Sequence, residues 1–378
     1  MPERRHEMRL NPTIPLKMMT AAVLHGKEDV RIEQVAVPQA GPGELILRVA
    51  VALTCGTDLK VFRRGYHARM IKPPALFGHE LAGFVAEVGT GVTGFKVGDQ
   101  VVALNSAPCG RCYYCRRDQE NLCEDLLFNN GAYAEYVRIP ERIAAKNTIL
   151  VPHGVPLEHA ALTEPLACAV HGFEDCNPRA GDTLAVIGGG PLGLLLIHVA
   201  ALAGCEVIAV VKRPSQAKAA HALGAAHVVH TTHATNVVEA VRALTPDKRG
   251  VDIAIEAVAL AETWEQAVEM VRNGGVVNFF GGPAAGTKVS LDTNRLHYGD
   301  ITLKATFHHT PAICRRALEL IAGGKFKAGY FITGRAPLSE LNEVFAQMAD
   351  RGNQIKTAIL PGDGMLPGQL AGDLGLFP

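Results

Sequence analysis

The stretch GDTLAVIGGGPLGLLLIHVAALAG, residues 181–204, decides the fold. It reads as a short apolar strand, a glycine turn and then an apolar helix. Gly188, Gly190 and Gly193 stand where the strand ends and the helix opens. A lone glycine pattern is weak, but this context is the one a dinucleotide site requires. Glycines let the backbone approach a pyrophosphate, which then rests on the helix N-terminus. The expected cofactor-binding turn is Gly188, Gly190, Pro191, Leu192 and Gly193.

The alternation continues downstream. EVIAVV precedes SQAKAAHALGA, HVVH follows, VDIAIEAV precedes AETWEQAVEMV, and GGVVNFFGG and ITLKATF close the series. This predicts an α/β chain with a doubly wound parallel sheet. Chains that hold NAD usually carry Asp or Glu at the end of the second strand, for the ribose hydroxyls. Here the position falls on Val211, followed by Lys212-Arg213-Pro214-Ser215. A carboxylate would repel a 2′-phosphate, whereas Arg213 can clamp one with two parallel hydrogen bonds. The expected cofactor is therefore NADP(H) rather than NAD(H), held by Arg213 first, then Lys212 and Ser215. The competing reading is a pair of solvated basic residues at a helix start.

A second stretch, CGRCYYCRRDQENLC at 109–123, places Cys109, Cys112, Cys115 and Cys123 in the pattern C-x2-C-x2-C-x7-C. A disulfide knot competes with a tetrahedral Zn(Cys)4 site. The N-terminal MPERRHEMRLNPTIPLKMM is basic and lacks the apolar block of a secretory signal. A cytoplasmic, reducing setting is expected, where clustered cysteines more often bind metal. Arg111, Arg116 and Arg117 between them favour thiolates. Four thiolates close the zinc shell, so such a site is structural and carries no chemistry.

Bulk properties narrow the classes. A chain of 378 residues is long enough for two domains. Its 37 basic and 37 acidic residues balance, which gives no electrostatic pull toward nucleic acid or anionic membrane. No apolar run is long enough to span a bilayer.

The lobe is flanked by CGTD at 55–58, GHE at 78–80, GVTGFKVGDQV at 91–101, GAYAEYV at 131–137, EPLACAVHG at 164–172 and GGGPLG at 188–193. In that order and position, the set resembles the zinc-containing medium-chain dehydrogenase/reductase family. The alcohol/polyol dehydrogenase branch, and within it the sorbitol and threonine dehydrogenases, is most similar. The resemblance implies a GroES-like β-rich catalytic domain at 1–176 and 313–378, carrying the lobe 109–123. A Rossmann-type dinucleotide-binding domain at 177–312 would complete the chain, with the active site in the cleft between them.

The resemblance also implies two zinc ions per subunit. The structural ion would sit in the lobe. The catalytic ion would be held by Cys55, His79, Glu80 and Glu164, with Glu164 standing where other branches use a second cysteine. The glutamates would exchange with water or substrate. Thr57 matches the hydroxyl that bonds the reacting oxygen, and Asp58 the carboxylate that orients the zinc histidine; from residues alone, these read as a turn hydroxyl and a helix cap. Lys60 stands where many relatives have a relay histidine, so the proton route beyond Thr57 is open. Cys168, one helical turn after Glu164, reads as packing or an alternative ligand. His171, His308 and His309 are candidates for the edge of the nicotinamide or substrate pocket. Tyr66, His67, Phe128 and Asn129 are pocket candidates that suit a polyhydroxy substrate.

The implied activity is hydride transfer between a secondary alcohol or polyol, or its ketone, and NADP(H). A threonine- or amino-alcohol-type dehydrogenase is the alternative, and a catalytically inactive cofactor-binding protein the reading from another class. The strand ITLKATF is expected to pair across a two-fold axis in a homodimer or homotetramer. The N-terminal stretch and the Pro/Gly-rich PGDGMLPGQLAGDLGLFP are expected to be loose tails, the latter with docking on a neighbouring subunit as its alternative.

Overall fold

Thr183–Ile187 is the centre of a six-stranded parallel sheet. The computed structural model describes residues 17–350 and 354–362, so most of both expected tails lies outside the described residues. The strand order is His227–His230, Glu206–Val211, Thr183–Ile187, Val251–Glu256, Val271–Phe279, Thr302–Ala305. Every neighbouring pair is parallel. The chain winds one way from Thr183–Ile187 and then the other, and ligands of such sheets bind at that switch point. Leu184, Val186, Val207, Ala209, Ile253 and Ile255 are buried. Strands covered on both faces need such near-continuous apolar runs, and each large aliphatic side chain buried adds about 1.5–3 kcal/mol.

Two strands depart from expectation. Val271–Phe279 begins before GGVVNFFGG because Val271 already pairs with Val251, across a register irregularity. ITLKATF yields only Thr302–Ala305, because Thr306 turns its hydroxyl to Asp175 Oδ2 at 2.5 Å and accepts from Asn278 Nδ2 at 2.9 Å.

The β-rich half holds a seven-stranded sheet in which Leu45–Leu53 pairs antiparallel with Glu80–Val88. A three-stranded sheet, Asp29–Ala36, Met18–Gly26 and Ala75–Leu76, lies beside it. Leu47, Val49, Phe77, Val85, Tyr133 and Phe345 belong to one buried cluster. Register positions the chemistry: Leu53 lies opposite Glu80, so the exit of one strand at Cys55 meets the entry of the next at His79. Lys356–Leu360 pairs with the same strand at Leu53 and Ala52.

Helix Thr163–Glu174 joins the halves. Leu166, Ala167 and Val170 pack in one cluster with Leu194–Ile197 of helix Pro191–Leu202, and with Cys314 and Ala317 of helix Pro311–Ala322. No helix among the described residues is long and apolar enough to cross a membrane.

Candidate active site and metal centres

Cys55 caps the helix Gly56–Arg64, and its sulfur accepts from the Thr57 N–H at 3.4 Å. Asp58 closes the capping box from the third helical position, its Oδ2 accepting the Cys55 N–H at 3.3 Å. The same carboxylate does more than cap. Its Oδ1 lies 2.8 Å from His79 Nδ1, and its Oδ2 accepts the Tyr133 hydroxyl at 2.6 Å. Burial alone would push His79 down, but Asp58 and Cys55 more than offset it and hold it well above the usual histidine range. Burial and the Asp58 charge push the Tyr133 phenol up. With Nδ1 facing Asp58, Nε2 is left as the ring nitrogen for an ion.

One ligand atom each from Cys55, His79 and Glu80 lies within 4.8 Å of the others. Glu164 is grouped differently, with Cys168, His308 and His309. Its Oε1 accepts from Asn105 Nδ2 at 3.0 Å and lies 3.5 Å from His309 Nε2. Burial works against the Glu164 charge, yet His309 and the nearby His79 bring its carboxyl down to about 2. Glu80, pushed up by burial and pulled back by Lys356, stands at about 7, the Glu164 charge adding to the rise.

The lobe sulfurs lie at 3.5 Å (Cys112–Cys115), 3.9 Å (Cys112–Cys123) and 4.0 Å (Cys109–Cys115), and all four cysteines are unbridged. A tetrahedral ion with bonds of about 2.3 Å sets sulfur pairs at about 3.8 Å apart. The donor set therefore fits zinc. Backbone N–H groups of Cys115 and Glu124 bring the Cys112 thiol down to about 6, the direction metal binding needs. The lobe also touches the interdomain turn: Asn121 Nδ2 donates to the Phe307 carbonyl at 3.0 Å.

At the cofactor turn, a Cβ on Gly193 would stand 1.9 Å from the Gly188 carbonyl, so only glycine allows this helix to start so close to the strand. Gly190 caps Pro191–Leu202 with no side-chain hydrogen bond, which leaves the first N–H groups for an anion. Val211 is buried at the end of Glu206–Val211; Lys212 is exposed and Arg213 half-buried beside it.

Two family descriptions match this chain: "Alcohol dehydrogenase GroES-like domain" over residues 41–152, and "Zinc-binding dehydrogenase" over 191–323. An L-threonine 3-dehydrogenase of Pyrococcus abyssi is 36% identical over 74% of this chain and 78% of its own length. The chain belongs to the zinc-containing medium-chain dehydrogenase/reductase family. A sorbitol dehydrogenase of Bacillus subtilis is 28% identical over 92% of this chain and 99% of that relative. A zinc-binding dehydrogenase from Sinorhizobium meliloti, solved bound to NADP, superposes with a TM-score of 0.84 at 30% identity, covering 91% of this chain and 100% of that one.

Several groups in this dehydrogenase escaped the sequence. Lys356 is buried against Glu80, with Nζ at 2.8 and 2.6 Å from its two oxygens and 2.8 Å from the Thr54 carbonyl. Asn105 bridges Glu164 and His309, its Oδ1 lying 3.1 Å from His309 Nε2. Neither carries a local motif. Tyr133 lies inside the quoted GAYAEYV, but nothing there announces its bond to Asp58. Lys60 is exposed, and the pocket candidates scatter. Tyr66 is 58% exposed, His67 Nδ1 accepts the Arg69 and Met70 N–H groups of its own turn, and Asn129 holds the Arg138 carbonyl. Phe128 faces His308, with ring centroids 5.4 Å apart. His171 Nδ1 lies 2.7 Å from the His308 carbonyl.

Proposed function

We propose that this dehydrogenase reversibly oxidises a secondary alcohol or polyol to its ketone with NADP(H), at a site made by Cys55, Thr57, Asp58, His79, Glu80 and Glu164. The observation that carries the reading is the Asp58–His79 contact at 2.8 Å beside the Cys55 thiol, which fixes one ring nitrogen and leaves the other to a metal. Cys55, His79, Glu80 and Glu164 would hold a zinc ion, which would supply Lewis-acid polarisation of the substrate oxygen, and NADP+ would supply the hydride acceptor. Thr57 Oγ1 would accept a hydrogen bond from the substrate hydroxyl and orient it. Asp58 keeps the imidazole in its binding orientation. Lys356 holds the Glu80 carboxylate in place. A second zinc, in the Cys109–Cys112–Cys115–Cys123 lobe, would be structural.

The turn Gly188, Gly190, Pro191, Leu192 and Gly193 would hold the pyrophosphate. Lys212, Arg213 and Ser215 would hold the 2′-phosphate, since the strand ends on Val211 with no carboxylate to repel it. We assign residues 1–176 and 313–378 to the catalytic domain and 177–312 to the nucleotide domain, and expect a homodimer or homotetramer.

The threonine dehydrogenase relative, 36% identical, supports an amino-alcohol substrate as the second reading. The test is reduced-nicotinamide absorbance with NADP+ or NAD+, against a panel of polyols, simple secondary alcohols and L-threonine, before and after chelation. Polyol turnover with NADP+ that chelation abolishes is expected. Turnover surviving full removal of metal, or none with any alcohol or ketone, overturns the proposal.

A further inference from the structure

Glu164 and Cys168 lie four residues apart on helix Thr163–Glu174, so they share a face. His308 and His309 meet that face from the turn after Thr302–Ala305. Adjacent residues in extended backbone point apart. Here His308 adopts φ 62°, a left-handed conformation uncommon outside glycine, and the two rings come to lie on one side with centroids 3.9 Å apart. One donor atom from each of the four residues lies within 4.8 Å of the other three.

We propose that Glu164, Cys168, His308 and His309 form a second divalent-metal site beside Cys55, His79 and Glu80, loading independently of Cys55. The inference rests on the proposed function and revises it in one respect: Glu164 passes from the catalytic set to the second ion, leaving Cys55, His79 and Glu80 an ion of their own. A Glu/Cys/His/His set supplies four donors of the kinds Zn2+ takes. The outward nitrogens are already engaged as in metal-bound histidines: His308 Nε2 lies 2.6 Å from Ser106 Oγ, and His309 Nδ1 3.2 Å from Cys314 Sγ. That leaves His308 Nδ1 and His309 Nε2. His309 Nε2 faces Glu164 Oε1 at 3.5 Å, where an ion would replace the proton now shared with Asn105. Glu164 and His309 are only 6% and 2% exposed and Cys168 and His308 are half-buried, so an ion here would be bound chiefly by protein.

The test strips the full-length protein of metal, reloads it with Co2+ alone, and measures cobalt per subunit with the thiolate-to-cobalt absorption. Cys55→Ala and Cys168→Ala should each bind about one equivalent less than wild type, and the double variant about two less. His308→Gln should repeat the Cys168→Ala loss, and serves alone if that variant fails to fold by circular dichroism. Wild-type cobalt content in both Cys168→Ala and His308→Gln overturns the site. So does loss of all cobalt outside the lobe in Cys55→Ala alone. If Cys55→Ala loses nothing while Cys168→Ala loses its equivalent, the second site stands and the Cys55 assignment falls.

Discussion

Replacing Lys356 by Met should destabilise the protein far more than the loss of one surface ion pair. Lys356 and Glu80 are 2% and 0% exposed, and the ammonium makes three contacts of 2.6–2.8 Å. Removing one partner of a buried pair leaves the other charge uncompensated, at a cost of about 3–5 kcal/mol. Glu80, already raised to about 7, can take up a proton instead, which limits the cost to that range. For 378 residues, an unfolding entropy of roughly 2.1 cal/mol/K per residue converts this to a fall in Tm of about 4–6 °C. The assay is thermal and urea unfolding after chelation, so that no ion compensates Glu80, with Glu80→Gln and the double variant completing the cycle. The double variant should be more stable than Lys356→Met, because the stranded charge is gone. A Lys356→Met loss below about 1 kcal/mol would refute the reasoning.

Three further outcomes are expected. Arg213→Asp should lower the kcat/KM ratio of NADP+ to NAD+ by at least about tenfold, since one lost charge-assisted contact is worth about 1.5–3 kcal/mol; steady-state kinetics with both cofactors checks it. Asp58→Asn should weaken zinc binding at the Cys55 site about 10–100-fold, read by competition with a chromogenic chelator, with the lobe ion retained. Burial opposes the Asp175 charge, but Lys304 and Thr306 lower its carboxyl below the ordinary aspartate value. Its contribution is thus complete above the unfolded pKa and is lost as pH falls through the folded one. Asp175→Asn should lower stability at neutral pH, where that contribution is complete, and leave it least changed in strong acid, so that the acid side of the stability curve below about pH 4 is flattened; unfolding across pH checks it.

What could be read beforehand was what lies close along the chain. The glycine turn and the four-sulfur lobe are each written within a few residues, where spacing fixes geometry; Asp58 reads beforehand as a helix cap, whereas the cap is Cys55 and Asp58 closes the box from the third helical position. The parallel sheet followed from repeated local alternation. Lys356 against Glu80, and Asn105 between Glu164 and His309, were invisible, because sheet register and interdomain packing bring them together across long stretches of chain. Asp58 shows the limit of a one-role reading: its carboxylate closes the capping box and orients His79 at once. The left-handed backbone at His308 has no signature either, since histidine adopts it only where the surrounding structure imposes it.

The bond from Asn121 to the Phe307 carbonyl gives the cysteine lobe a reach beyond its own clasp. It acts as an outrigger, steadying from outside the turn whose next two residues are His308 and His309. Damage to those sulfurs, by oxidant or by a strong scavenger of zinc, would therefore be felt at the catalytic crevice even though no sulfur of the lobe enters it.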